Sequence, residues 1–289
     1  MTGATGFIGS RLVPLLIANG HDVVAVGRDA ARLERFAGAE AVVGDLTDPR
    51  VGDAFPRRVD AIVHLAQANA PRPTEAQLFG VNTDGTANLL DYAHSADASS
   101  FVFASSGSVY GGANTPLRET DPPRPNDSYA RSKLAAEDLV RKHGGSMRAC
   151  ILRLFAPYGP GQENRLIPEL VARVRAGRPV ILRGGGRPRL TPIYVDHVVD
   201  VLDQAVTAGD EMLVNVAGDE ILSIRDMAET IGRVVGSEPH FEEAPDEGQE
   251  DLIGDTTTLR RHFLLPDSFV SFEQGMAAMV AEEAAAARR

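Results

Sequence analysis

A single cysteine, Cys150, stands in the 289-residue chain, so no intrachain disulfide and no thiolate metal cluster can form. Such a chain suits a reducing compartment, and a cytoplasmic protein is the expectation. No run of eighteen apolar residues is present to span a bilayer, and the N-terminus lacks the basic stretch and apolar core of a secretory signal. The seven histidines are scattered, and no pair has the i, i+4 spacing with a carboxylate that a zinc site uses, so no metal is expected. Positive charge is also short: 29 Lys and Arg face 40 Asp and Glu, a net charge of −11. Phosphate binding needs a positive surface that releases counterions, which argues against a nucleic-acid partner and leaves room only for a local basic pocket. No internal repeat occurs. The acidic stretch from Glu242 to Asp251 and the alanine-rich tail ending in Arg288 and Arg289 read as solvated surface.

What is present is a large apolar fraction, 43%, enough for a nucleotide-binding domain with a smaller cap. Helical periodicity alternates with short β-rich runs through the first 155 residues. A helix is predicted near Ile8 to Asn19, then strands at Asp22 to Val26, Ala41 to Val43, Ala61 to Leu65, Phe101 to Ala104 and Ala149 to Leu154. Short, evenly apolar strands separated by helices imply a Rossmann-type α/β fold, a doubly wound parallel sheet with its ligand beyond the strands' carboxyl ends. Residues 1–155 are expected to form this domain and residues 156–289 mainly a substrate-binding cap, with the helix at 193–206 returning to the first domain. Only Met1 and Thr2 precede the glycine loop, so the strand that should feed it is missing, and that strand belongs at the middle of the sheet. The expectation is a start assigned too late, with further residues upstream in the natural chain. N-terminal sequencing of the native protein checks this, and recovery of Met1 refutes it.

The run Thr2-Gly3-Ala4-Thr5-Gly6-Phe7-Ile8-Gly9 spaces glycines by three and opens into a helix. Bare backbone there lets a pyrophosphate approach the helix's positive end, although a tight turn with close helix packing has the same pattern. Tyr129 and Lys133 stand four apart in Tyr129-Ala130-Arg131-Ser132-Lys133, hence on one face of a helix. An ammonium beside a phenol favours the phenolate, so a group that normally titrates near ~10 exchanges protons closer to neutrality. Taken alone, such a pair is usually a surface pair. Ser106, at a predicted strand end, changes the balance, since a serine hydroxyl can orient a carbonyl and donate to a developing alkoxide. A plain polar turn over Ser105-Ser106-Gly107-Ser108 is the alternative. Where a dinucleotide fingerprint wants an acid after the second strand, the chain has Gly27 and Arg28, with Asp29 one place late. A guanidinium without that acid favours NADP over NAD.

Together these blocks resemble the extended short-chain dehydrogenase/reductase family, the group of NAD-dependent sugar epimerases and dehydratases that includes UDP-galactose 4-epimerase. The resemblance runs nearly end to end, through Gly3/Gly6/Gly9, Gly44-Asp45-Leu46, His64-Leu65-Ala66, Val81-Asn82-Thr83-Asp84-Gly85-Thr86, Ser105 to Gly111, Tyr129 to Lys133 and Tyr158-Gly159-Pro160-Gly161. It implies that Ser106 bonds the reacting oxygen, that Tyr129 exchanges its proton, and that Lys133 also holds the nicotinamide ribose. It further implies that Asp45 and Leu46 flank the adenine, that Leu65 and Ala66 lie against the ribose and phosphates, and that Asn82 lines the cofactor site. Asp45 and Asn82 read equally well as helix caps.

Departures from the family pattern narrow the chemistry. The Asp-Glu pair that sugar-nucleotide dehydratases carry after the serine is Gly107-Ser108 here, so a 4,6-dehydratase is not expected. An asparagine that contacts the diphosphate in many UDP-sugar enzymes is replaced by Ala156. The arginine expected four before Tyr194 is Leu190, with Arg187 and Arg189 near enough to substitute or to be solvated loop charges. Two activities share the remaining chemistry: an epimerase that retains its cofactor on a sugar-nucleotide or similar small substrate, and an NADPH-dependent ketoreductase on a non-nucleotide carbonyl. A non-catalytic dinucleotide-binding redox sensor is a third reading, against which the intact Ser106, Tyr129 and Lys133 argue. Helices from Pro73 to His94 and Asn126 to His143 would pair across a two-fold in a homodimer, as in many relatives.

Overall fold

The computed structural model describes residues 1–68, 72–143 and 147–286; the arginines of the tail lie outside them. Its strands are β1 (Val23–Gly27), β2 (Ala39–Val43), β3 (Ala61–His64), β4 (Ser100–Ser106), β5 (Arg148–Leu154), β6 (Pro157–Tyr158), β7 (Val180–Arg183), β8 (Ile193–Tyr194), β9 (Met212–Val216) and β10 (Phe241–Ala244). Its helices are α1 (Gly9–Ala18), α2 (Ala30–Leu33), α3 (Glu75–Phe79), α4 (Gly85–Ser95), α5 (Ser128–His143), α6 (Leu166–Arg175), α7 (Val195–Thr207), α8 (Ile224–Val235), α9 (Thr257–His262) and α10 (Phe272–Ala286). A π-helical turn, Gly80–Asp84, joins α3 to α4. The chain divides into two compact units. The first holds Met1–Val109, Pro125–Arg153 and Val199–Val214; the second holds Tyr110–Arg124, Leu154–Val198 and Asn215–Arg289.

In the first unit β1 pairs with β2, and β3, β4, β5 and β9 lie side by side in that order. The pairs β1–β2 and β3–β4 are parallel. β4 and β5 are buried along nearly their whole length, as strands covered on both faces must be. β2 is an edge strand, with Glu40 and Val43 exposed. Thr2 forms parallel bridges to Val26 of β1 and to His64 of β3, so the two sheets become one. Its N–H donates to Val63 at 2.9 Å, its carbonyl accepts from Leu65 at 3.2 Å, and the Met1 carbonyl accepts from Val26 at 2.8 Å. Met1 and Thr2 thus lie at the middle position, between β1 and β3, and around them the order is that of a doubly wound sheet. Phe101, Phe103 and Ile151 of the sheet and Leu89, Leu90, Ala136 and Val140 of α4 and α5 share one apolar core.

The second unit pairs β6 with β8 and β7 with β10, both parallel. α6, α8 and α10 pack with these strands around Tyr158, Ile167, Leu182, Met227, Phe272 and Met276. A reciprocal cap between Ser223 and Asp226 starts α8, and Gly236, with φ of 71°, ends it. The acidic stretch is not simply solvated, because its last residue, Asp251, is fully buried and accepts from the Arg189 guanidinium at 2.7 and 2.9 Å. Bonds from Arg189 overcome the upward push of burial and hold the Asp251 carboxyl below its usual range.

Candidate active site

The glycine loop folds onto the end of β3. Gly3 has φ of 70°, and a Cβ there would lie 2.7 Å from the Ala66 nitrogen and the Leu65 carbonyl carbon. A Cβ on Gly9 would lie 2.2 Å from the Gly3 oxygen. Both positions need glycine on steric grounds, as a tight turn with close helix packing requires. Gly6 closes the turn by donating its N–H to the Gly3 carbonyl at 3.0 Å. Phe7 and Ile8 lead into α1, which has neither a side-chain cap nor an acid in its first turn. Such an end leaves N–H groups and partial positive charge for an anion.

After β1, Arg28 is exposed, and Asp29 caps α2 by accepting from the Arg32 N–H at 3.2 Å. Arg32, which the sequence reading passed over, donates from its guanidinium to the Thr5 carbonyl of the glycine loop at 3.0 Å. Asp45 folds back on Thr47, accepting from its N–H at 3.0 Å and its hydroxyl at 2.9 Å. That backbone bond, with smaller help from the Thr47 hydroxyl and Arg28, holds the Asp45 carboxyl below its ordinary value against its partial burial. Leu46 is buried, and its carbonyl receives the Asn88 amide at 2.8 Å.

Asn82, in the π-helical turn, is 1% exposed and caps no helix. Its Oδ1 accepts from the Ala68 N–H at 2.9 Å, and its Nδ2 donates to the Ser132 hydroxyl at 2.9 Å. The segment after Leu65 and Ala66 is thereby tied to α5. Beneath it, His64 is fully buried between two threonines, its Nδ1 2.7 Å from the Thr2 hydroxyl and its Nε2 2.9 Å from that of Thr86. Thr86 spends its own proton on the Asn82 carbonyl at 2.6 Å, so His64 carries its proton on Nε2 and accepts from Thr2. Burial first, then the Lys133 and N-terminal charges, lower His64 to about 3, and it stays neutral.

Ser106 ends β4, its hydroxyl 2.9 Å from that of Ser108 and accepting from the Ser108 N–H at 3.2 Å. Tyr129 and Lys133 lie one turn apart on α5, which packs against β4. Lys133 is 2% exposed, with its ammonium 4.4 Å from the centre of the Phe103 ring. Burial lowers it to about 7 against the opposing pull of Glu137, one turn further along α5. The Tyr129 hydroxyl donates to Gln67 Oε1 at 2.9 Å. Glu137 is buried, and burial would raise its carboxyl; the Arg153 guanidinium, with bonds of 2.9 and 2.7 Å, then Ser105 and Arg141, lower it instead. This cluster bolts α5 to the ends of β4 and β5. Gln67, Arg32 and the Glu137–Arg153 pair are the residues sequence reasoning missed. Glu137 alone had a visible signal, standing one helical turn beyond Lys133 on the same face.

Among the described residues no group of three His, Cys, Asp or Glu side chains gathers to hold a metal, and no helix is long and apolar enough to cross a membrane. In the second unit Ala156 takes a left-handed backbone, φ 42°, a conformation in which asparagine is enriched.

The family model described as NAD dependent epimerase/dehydratase family matches residues 1–217. The chain is 32% identical over 214 residues to the 3 beta-hydroxysteroid dehydrogenase/Delta 5-->4-isomerase of Mycobacterium tuberculosis strain H37Rv, covering 69% of this chain but only 57% of that protein. It is 31% identical over 306 residues to the dTDP-glucose 4,6-dehydratase of Streptomyces griseus, covering 97% of this chain and 92% of that one. Its fold is similar to that of MoeE5 solved in complex with UDP-glucuronic acid and NAD, with a TM-score of 0.87, 27% identity, and 99% and 98% of the two chains covered.

Proposed function

The chain belongs to the NAD dependent epimerase/dehydratase family, and from that premise we propose an oxidoreductase or epimerase that works at a carbinol or carbonyl carbon, with Tyr129 as acid and base. The observation that carries this reading is α5, bearing Tyr129 and Lys133 on one face, anchored through Glu137 to the strand end that bears Ser106. The glycine loop suits a dinucleotide, since the turn that Gly3 and Gly9 keep tight leads into α1, which begins with no side-chain cap and no acid in its first turn. When bound, a nicotinamide supplies the acceptor or donor of hydride. The chain's residues do the rest. Tyr129 takes the substrate's hydroxyl proton in oxidation and returns it in reduction, Ser106 donates to the reacting oxygen, and Lys133, when charged, favours the phenolate. Gly3, Gly6, Phe7, Ile8 and Gly9 are assigned to the pyrophosphate, Asp45 and Leu46 to the adenine, and Leu65, Ala66, Asn82, Tyr129 and Lys133 to the riboses and nicotinamide end.

NADP is proposed over NAD. Arg28 follows β1, Asp29 is spent capping α2, and the Arg32 guanidinium already reaches the glycine loop. Elimination of the 4,6-dehydratase kind is not proposed, because Gly107 and Ser108 stand where its acid and base would be, and Ser108 is engaged with Ser106. The proposed substrate is a nucleotide-sugar or similar small molecule, as the UDP-sugar complex of the similar MoeE5 suggests. A ketoreductase acting on a non-nucleotide carbonyl is the second reading. It is favoured by Arg189, whose guanidinium is locked to buried Asp251, and by the likeness to a hydroxysteroid dehydrogenase.

Tyr129→Phe tests the mechanism in an NADPH-linked assay against a panel of UDP-sugars and ketosteroids. Turnover is expected to fall by about 10²–10⁴-fold with cofactor affinity nearly unchanged; turnover equal to the unmodified enzyme's refutes the reading. Native mass spectrometry then separates an epimerase, which keeps its cofactor through purification, from a reductase that releases it.

A further inference from the structure

We infer that Gln67 is a positioning residue for Tyr129, an amide that turns to match the phenol's proton by accepting from the hydroxyl through Oε1 and donating to the phenolate through Nε2. The inference rests on the reading of Tyr129 as acid and base. A carbonyl oxygen has no proton to give, so across the 2.9 Å contact Tyr129 is the donor. That arrangement suits Tyr129 as an acid. As a base Tyr129 must be a phenolate, and two facing oxygens would then repel. A half-turn of the terminal amide replaces Oε1 by Nε2–H and converts the repulsion into a charge-assisted hydrogen bond.

The surroundings hold the amide at this station. Ala68, the next residue, donates its N–H to Asn82; Asn82 donates to Ser132; and the Ser132 hydroxyl donates to the backbone carbonyl of Tyr129 at 2.8 Å. Three hydrogen bonds through a buried asparagine thus fix the Gln67 backbone relative to the tyrosine's own. Rotation about the last side-chain bond breaks none of them. The titratable groups on α5 and the elements packed against it include Asp127 and Arg131 beside Tyr129, Lys133 and Glu137 further along α5, Glu75 on α3, Asp84 in the π-helical turn, and Asp91 and His94 on α4; His64 lies on β3. Glu75 is paired with Arg131, Asp127 accepts from the Ala130 N–H, Glu137 is paired with Arg153, and His64 is neutral; Lys133, one turn along α5, acts on the phenol together with Gln67.

The bond from Nε2 to the phenolate is the stronger of the two, so removing the amide raises the acidity constant's midpoint, and a carboxylate at the same place raises it further by like-charge repulsion. The test titrates protein labelled with ¹³C at tyrosine Cζ, with NADP⁺ present. The chain has five tyrosines, and Tyr129→Phe identifies the resonance in question. Gln67→Met is expected to move the Tyr129 midpoint upward by a fraction of a pH unit, and Gln67→Glu by about one unit or more. Midpoints that coincide with the unmodified protein's in both variants overturn the role of Gln67; where Gln67→Glu does not fold, an unmoved midpoint in Gln67→Met suffices. If instead Tyr129→Phe retains full turnover, the reading of Tyr129 itself fails, whatever Gln67 does.

Discussion

At the scale of single residues, Arg32 and Asp29 show how one position alters the meaning of the next. Asp29 is near enough in sequence to serve as a ribose acid, yet its carboxylate caps α2, and the helix it caps carries Arg32 back to the glycine loop. Arg32→Ala is therefore expected to weaken NADP binding by about tenfold or more, the worth of a charge-assisted contact to a phosphate, while NAD binding changes little. Calorimetric titration with both cofactors checks this, and an equal loss for the two would remove Arg32 from 2′-phosphate recognition. The position of Arg28 was legible because it directly follows a strand. Arg32 was not, because its reach depends on where α2 begins.

Among the elements, the segment predicted as one helix from Pro73 to His94 is two helices joined by a π-helical turn. Apolar periodicity signals a helix but is blind to one widened turn, and that turn aims Asn82 at Ala68 and Ser132. Helix α10 shows a similar dependence on contact. Its sequence is rich in alanine, and nothing in it marks Gly275 as special; in the fold a Cβ there would lie 2.4 Å from the Tyr158 hydroxyl and 2.8 Å from its ring carbons. Tyr158 is 1% exposed and cannot swing away. Gly275→Ala should destabilise the protein by about 1–3 kcal/mol through overpacking, seen as a lower midpoint in a thermal melt. An unchanged midpoint would mean that α10 slides to make room.

For the whole molecule, acid is the expected weakness. His64 falls from 6.5 to about 3 on folding, so the unfolded chain binds a proton there that the folded chain refuses. Stability attributable to this residue is therefore complete above pH 6.5 and lost progressively as the pH falls towards 3. Glu137 and Asp251, both lowered on folding, add to the loss at the acid end, since a depressed carboxylate also withdraws its contribution as it protonates. Chemical denaturation across this range should show the unfolding midpoint dropping with pH, and His64→Asn should flatten the drop between pH 6.5 and 3. A profile unchanged by that substitution would place the acid sensitivity elsewhere.

The sequence by itself determined the doubly wound sheet, the glycine loop, and the placement of Ser106, Tyr129 and Lys133 on a strand end and one helical face, because burial on both sides of a sheet and the 3.6-residue turn leave periodic marks in the chain. Tertiary structure alone decided that Thr2 would pair with β1 and β3 at once. It alone brought Gln67 to the tyrosine hydroxyl and gathered Ser105, Glu137, Arg141 and Arg153 behind the lysine. The reason is physical: a hydrogen bond between residues 62 positions apart, as Gln67 and Tyr129 are, depends on where two backbones come to rest, and no local pattern records it.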